Sequence, residues 1–502
     1  MRRLAKHVMN MLALCSVPLM LGCEPSVNRT HAKPIAPPPA PALSHSNPDS
    51  WRKQQPAHGA SGRLDMPVPQ VSVLENGMTI YSIPRKSGIV SMSVVVRQGA
   101  ETTLPGKSGL AALVARMLTE GTRHRNPFQL AEAAENFGST LHSSAQRDLI
   151  EVSLESLPSD TDRAIELLSE VVREPAFSSK DFERVRSQWL DDLLAERQSP
   201  SALAALVGMR ALYGTYRGAP VNGSVSDVKK LQLSALKSWY ALYVVPSSVT
   251  FIAAGPIEAE NIVKTARSSF GNWHAASTPS QAAEYPRKTQ SRNDVIVVDR
   301  KGAAQSAMFA AQPFPRRLDS GYEARLLLND ILGGLFTSRI NMNLREAHAY
   351  TYGARSSVVA NRNFGALIIQ TDVRTDATAA SLKELIGELS AVAYPAAIRP
   401  IGEDELGRAR ADLIHRLGAR LEQNRNLVTD METLFVQGLS PNYYANLPGI
   451  YAQLNKTEVG SQAALIHPDN FTIVIVGDQG KIEPTLIQAG FKTRAPEADW
   501  LD

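Results

Sequence analysis

The sequence predicts an α+β protein made of two homologous halves, each with helices packed on a largely antiparallel sheet. Three observations predict it. Strand-like and helix-like segments recur in the same order along both halves of the body. Pro246-Ser-Ser-Val-Thr-Phe-Ile-Ala-Ala-Gly255 aligns without a gap on Pro468-Asp-Asn-Phe-Thr-Ile-Val-Ile-Val-Gly477, 222 residues later. Arg184-Val-Arg186 and Arg408-Ala-Arg410 stand 224 residues apart. Two independent matches at nearly one spacing mark an internal duplication, and so long a period means paired domains rather than a solenoid. Strands, then helices, then a closing strand suit a helix layer on a single sheet.

The elements follow in order. Residues 71–74 and 78–83 read as strands around Asn76-Gly77, a pair that accepts positive φ at both positions of a hairpin turn. Residues 91–97 read as a third strand. Ser108 is placed as the cap of an apolar helix over 109–120, Ser159 as the start of an amphipathic helix to about 172, and Ser178 as the start of another to about 197. Residues 248–254 form an apolar strand pattern, and 275–293 are polar and aperiodic, hence a linker. The second half repeats this: strands at 295–299 and 306–311, a helix from Ser320 to about 332, strands at 356–359 and 364–373, helices at 376–392 and 403–422, and a strand at 471–476. The expected domains are 67–274 and 294–492.

Composition limits what such a body does. At 502 residues, with 43% hydrophobic and 20% charged residues, the chain is neither fibrous nor wholly disordered. Aromatic residues at 6% and the lack of basic blocks argue against a dedicated nucleic-acid binder. The formal net charge is +4, and loss of the first 22 residues, with Arg2, Arg3 and Lys6, leaves +1. A near-neutral body has no electrostatic preference for polyanions. Cys15 and Cys23 are the only cysteines, so the body has no disulfide, thiolate nucleophile or cysteine–zinc site.

Residues 1–22 read as an export signal. The basic start is followed by an apolar stretch over 8–21, shorter than the roughly 20 residues a spanning helix needs. Met20-Leu21-Gly22-Cys23 resembles a bacterial lipobox, which makes Cys23 the lipidated residue; an ordinary cleaved signal with an incidental cysteine is the alternative. Glu24 after that cysteine implies the periplasmic face of the outer membrane. Residues 23–66 are proline-rich and read as a tether, because proline holds the backbone extended and outside any core.

Four segments carry a resemblance to a known family. They are Ser108-Gly-Leu-Ala-Ala-Leu-Val-Ala-Arg-Met-Leu-Thr-Glu-Gly-Thr122, Phe137-Gly-Ser-Thr-Leu-His-Ser-Ser-Ala-Gln-Arg-Asp148, Gly333-Gly-Leu-Phe-Thr-Ser-Arg-Ile340 and Leu344-Arg-Glu-Ala-His-Ala-Tyr-Thr-Tyr-Gly353. Together they resemble the pitrilysin/insulinase family of metallopeptidases, which includes the mitochondrial processing peptidases. The resemblance covers about residues 66–492 and implies the family's clamshell half. Catalytic members carry an inverted zinc motif, H-x-x-E-H, in the first of these segments. Its two histidines share one side of a helix and hold zinc, its glutamate is the general base, and a later glutamate is the third ligand.

Here the motif positions fall on Ala112, Ala115 and Arg116, and the later helix offers Asp191 and Asp192 in place of the glutamate. Arg116 sets a cation where the resemblance puts a metal. The body's histidines (His124, His142, His274, His348, His415 and His467) include no pair three or four apart. No metal or other cofactor is therefore expected on this chain. What the resemblance leaves is a pair in the second half, Arg345 and Tyr352, seven residues apart. In the family such a pair holds substrate near the scissile bond, and in heterodimeric bacterial members it sits on the subunit without zinc. An arginine salt bridge and a packed tyrosine are the bland alternative. Residues 141–145 resemble the family's substrate-edge strand, which binds extended peptide through its backbone. The expectation is a non-catalytic, substrate-binding subunit of a periplasmic zinc peptidase, partnered by a zinc-bearing homologue and inactive alone. A structural or peptide-binding scaffold lipoprotein is the alternative.

Overall fold

The structure, a computed structural model, describes residues 64–86, 88–274, 294–393 and 398–502. The signal segment, Cys23, the tether up to residue 63 and the linker at 275–293 lie outside the described residues. The first half contains strands β1 (Gln70–Val73), β2 (Thr79–Pro84), β3 (Val90–Val96), β4 (His142–Ala145), β5 (Ile150–Ser156) and β6 (Val249–Gly255). Its helices are α1 (Leu110–Leu118), α2 (Pro127–Glu135), α3 (Thr161–Arg173), α4 (Ser179–Glu196), α5 (Pro200–Arg217), α6 (Val225–Lys230), α7 (Leu233–Tyr243) and α8 (Ala259–Phe270). The second half contains strands β7 (Asp294–Asp299), β8 (Gln305–Phe314), β9 (Thr351–Ala360), β10 (Gly365–Arg374), β11 (Thr472–Gly477) and β12 (Lys492–Arg494). Its helices are α9 (Tyr322–Asn329), the short α10 (Arg339–Asn341), α11 (Thr378–Val392), α12 (Glu403–Arg420), α13 (Asn424–Gln437), α14 (Tyr443–Gln453), α15 (Lys456–Gln462) and α16 (Gln479–Gln488).

The strands form two sheets, ordered β1-β2-β6-β3-β5-β4 and β12-β7-β11-β8-β10-β9. Five strands correspond in place and sense. The closing strand of each half, β6 or β11, runs parallel to β2 or β7 and antiparallel to β3 or β8. These closing strands carry the aligned segments found in the sequence. The α+β class and the doubled architecture therefore hold, with sheets antiparallel except along β2–β6, β7–β11 and β7–β12.

Period-two alternation gives each sheet two buried faces. On β3, Val90, Met92, Val94 and Val96 pack with α1 and α3 in the first core. Ser91, Ser93 and Val95 point the other way and are also buried. That second face is covered by a helix from the opposite half: α13 lies on β3 and β6, and α5 lies on β8 and β11. On α5, Ala204, Val207, Ala211 and Leu212 form a core with Ile296, Phe309 and Val474 of the second sheet. The approach is close enough to need glycine at Gly208, where a Cβ would stand 2.2 Å from the Phe309 ring. Polar contacts lock the exchange. Asp148 Oδ2 accepts from the Arg362 backbone N–H at 3.0 Å and from Gln437 Nε2 at 3.2 Å, and Arg97 Nε donates to the Val436 carbonyl at 2.9 Å.

Some local expectations are corrected. The first hairpin turns through three residues, 75–77, with positive φ only at Gly77; Asn76 instead donates to the Phe270 and Trp273 carbonyls. Ser108 does not cap α1. Gly109 does so in the left-handed region, and the Ser108 hydroxyl donates to Asp227 at 2.6 Å. Gly321 plays the same part for α9, so Ser320 is not a cap either. Ser159 sits in a short turn ahead of α3. Ser178 does cap α4, accepting from the Asp181 N–H.

The exchanged helix α13 carries a buried carboxyl, Glu432, onto the first sheet. Burial, with the Glu151 carboxylate facing it, pushes that carboxyl up to about 8; the Ser93 hydroxyl and Arg425 oppose the rise, and Asp430 adds to it. In the unfolded chain the group ionises near 4.5. The cost of burying it is thus absent below pH 4.5 and grows as pH rises to about 8. Glu432→Gln is expected to match the parent at pH 4 and to be more stable at pH 8 by on the order of 1–3 kcal/mol. Urea unfolding at both pH values checks this; an equal gain at both would refute it.

Candidate functional site

The degenerate motif lies on α1, whose Leu113, Val114, Met117 and Leu118 are buried against the first sheet and neighbouring helices. Ala112 and Ala115 are buried too, so their methyl groups complete the packing. Arg116 is half-exposed. Its guanidinium lies 5.1 Å from the Trp189 ring on α4, and Nη1 is 3.4 Å from Asp192 Oδ2. The structure thus brings the two motif helices together as the resemblance implies, but an arginine–aspartate pair closes the space between them. Solvent reaches both partners, so the pair is worth about 1 kcal/mol at most. Asp191 is exposed beside it. These residues do not fit zinc: two methyl groups offer no lone pair, and a guanidinium offers only N–H donors and positive charge. Among the described residues no three His, Cys, Asp or Glu side chains are grouped to hold a metal ion.

The second-half pair is arranged differently. A π turn at Asp330–Gly334 leads into a loop with Phe336, then α10, then a second π turn, Met342–Ala347, that carries Arg345. The chain reverses at Ala349, whose φ is +52°, and enters β9, where Tyr352 is the second residue. The reversal is held by Ala349 N–H to the Arg345 carbonyl at 3.0 Å and Tyr350 N–H to the Leu344 carbonyl at 2.9 Å. Tyr350 is partly buried and stacks on His348 with centroids 4.9 Å apart, so it is occupied in packing. Tyr352 is 91% exposed.

Register explains that exposure. β9 pairs regularly with β10 as far as Ala354↔Thr371, then shifts, so that Tyr352 and Gly353 together face Asp372. Such a bulge re-aims a side chain at a sheet edge. Thr351 stays buried and donates to the Asp372 carbonyl at 2.7 Å.

Arg345 makes no side-chain hydrogen bond among the described residues. Its guanidinium lies 4.5 Å from the Phe336 ring, and Nε is 3.6 Å from Glu346, a loose contact. Neither an arginine locked in a strong salt bridge nor a packed tyrosine is found. Among the described residues no hydrogen bond or ring contact joins Arg345 to Tyr352; they share a turn and a strand end. β9 is the terminal strand of its sheet, as β4, with exposed His142, is of the first. The expected edge strand at 141–145 is therefore present, and the two free edges correspond.

Sequence reasoning missed Phe336 and Asn341. Asn341 is 4% exposed, donates from Nδ2 to the Phe336 carbonyl at 2.7 Å and accepts at Oδ1 from the Ala354 N–H at 3.1 Å. Phe336 lies in the Gly333–Ile340 segment, but neither residue's role shows in the sequence, because both act through one backbone arrangement.

Fold and site together define a doubled α+β body in which the inverted-motif positions carry no metal-ligating side chain. Residues 80–226 match the family model described as insulinase, peptidase family M16, and residues 230–413 match the peptidase M16 inactive domain. With these two matches covering most of the body, the chain belongs to peptidase family M16. It is similar to the Helicobacter pylori protein named non-peptidase homolog YmxG, at 23% identity over 391 residues, 77% of this chain and 88% of that one. It is also similar to zinc protease PqqE of the same organism, at 19% identity over 247 residues, 47% of this chain and 54% of that one. A solved peptidase M16 inactive domain from Pseudomonas fluorescens superimposes with a TM-score of 0.73 at 21% identity, covering 86% of this chain and all of that one. That likeness fixes the fold.

The left-handed Ala349 costs about 1 kcal/mol relative to glycine. Ala349→Gly is therefore expected to raise the melting temperature, and Ala349→Ile to lower it. Calorimetry on both variants checks the pair; a lower melting temperature in the glycine variant would contradict the strain.

Proposed function

We propose that this chain is the non-catalytic, substrate-holding subunit of a two-chain zinc peptidase of the bacterial periplasm. The observation that carries the proposal is the contrast between the halves. The zinc positions are filled by Ala112, Ala115 and Arg116, whereas Tyr352 stands free at a sheet edge with the unbonded Arg345 guanidinium on the adjoining turn. A guanidinium donates several hydrogen bonds to peptide carbonyls while staying charged. A phenol donates to a carbonyl oxygen as negative charge develops on it. An extended peptide adds to a free strand edge through its backbone.

Zinc and the activated water belong, in this reading, to a homologous partner, and this chain alone cleaves nothing. One organism among the relatives has both a protein named a zinc protease and one named a non-peptidase homologue, which supports such a division of labour. Mixing the purified chain with a zinc-bearing homologue from the same cell is expected to produce peptidase activity. Arg345→Ala or Tyr352→Phe is expected to lower it on the order of a hundredfold. Full activity of the partner alone would exclude the proposal. If assembly matters but both substitutions are silent, the chain is a scaffold.

The chain is anchored to the outer membrane through Cys23. Cys23→Ser is expected to move the protein from the membrane to the soluble periplasmic fraction and to abolish palmitate labelling. Unchanged fractionation and labelling would rule out this anchor.

A further inference from the structure

Arg345 makes no side-chain hydrogen bond among the described residues, yet it is placed. Its guanidinium carbon lies over Phe336, 4.5 Å from the centroid of a ring that is 62% exposed. A cation held over a ring keeps N–H donors for a carbonyl, and among the described residues only the Nε side meets another group, Glu346 at a loose 3.6 Å. What holds the backbone at Phe336 is Asn341. This side chain is 4% exposed, and its amide joins the two pieces of the site. Nδ2 donates to the carbonyl of Phe336 itself at 2.7 Å, and Oδ1 accepts from Ala354 N–H at 3.1 Å, two residues beyond Tyr352. One buried amide therefore ties the loop beneath Arg345 to the strand that presents Tyr352.

We infer that Asn341 and Phe336 are positioning residues that preset Arg345 and Tyr352 relative to each other, so that an extended peptide meets a ready-made clamp. The inference rests on the substrate-holding role proposed above. The physical gain is preorganisation: a long side chain already fixed in its binding orientation loses less freedom when the ligand arrives. Asn341 and Phe336 themselves need touch no substrate. Phe336 supplies a surface, and Asn341 supplies the register between loop and strand.

The test uses the whole chain and two independent readouts. The first is the side-chain resonance of Arg345, assigned by its loss in Arg345→Lys; stacking over a ring shifts it upfield. The second is binding of a fluorescein-labelled, unstructured β-casein fragment, read by anisotropy. The upfield shift is expected in the parent chain and in Phe336→Tyr, and its loss in Phe336→Leu and Asn341→Ala. Peptide affinity is expected to fall about threefold in Phe336→Leu and about tenfold in Asn341→Ala, and to recover in Phe336→Tyr. Phe336 is exposed, so its variants test the inference even if Asn341→Ala does not fold. An unshifted Arg345 resonance in the parent, or a shift and affinity unchanged in Phe336→Leu, would overturn it. Arg345→Ala separates the two claims. If that variant binds the fragment as tightly as the parent, the substrate-holding role fails, while the resonance shift still decides whether Phe336 and Asn341 place the arginine.

Discussion

A sheet has two faces, and in this protein each half covers only one of its own. The inner face of the first sheet is closed by α13 from the second half, and that of the second sheet by α5 from the first. This reciprocal cover is the constraint on which the rest depends. Neither half buries its apolar surface alone, because Ile296, Phe309 and Val474 pack against Ala204, Val207 and Leu212 across the duplication. Burying such side chains is the main stabilising term in any fold. The halves are therefore bound as one body rather than strung as two beads, and the contact at Gly208 fixes how closely they approach.

Against that background the altered motif is structurally inexpensive. α1 is held by Leu113, Val114, Met117 and Leu118, not by any ligand. Alanine at 112 and 115 suits a buried helix, since it packs with no polar atom to satisfy and has the highest helix propensity. Arg116 finds an aromatic face and a carboxylate on α4. The fold survives the exchange because it never relied on the chemistry. The second half shows the opposite pattern: its exposed tyrosine, unbonded guanidinium and left-handed alanine contribute little to packing. Strain and exposure that coincide at one turn are the usual marks of a site rather than of a core; the other left-handed non-glycine residue among those described, Phe177, is buried.

Much of this was legible in the sequence, and the reasons differ by residue. The duplication could be read because β6 and β11 are buried on both faces and keep the same apolar run. The altered zinc positions could be read because three residue types decide metal binding. The exchanged helices could not be placed, since nothing local says which sheet a helix covers. Signals of their presence did exist: Ser199-Pro200 opens α5 as a capped start, and Gly438 closes α13 in the left-handed region. The serine caps at 108 and 320 misled because a glycine follows each and takes the cap position itself. Asn341 gave no signal, and Phe336, though inside one of the four resembling segments, showed no role there, as their link runs through a backbone carbonyl.

The irregularity in β9 has a consequence for any guest chain. Two residues there oppose one on β10, so the backbone groups along the outer rim lose their even spacing at Tyr352. The Ala354 N–H is already taken by Asn341 Oδ1, so a visiting strand would find even backbone spacing only beyond it. The defect would thus act as a stop on the frame of any polypeptide laid along this rim, whatever its side chains.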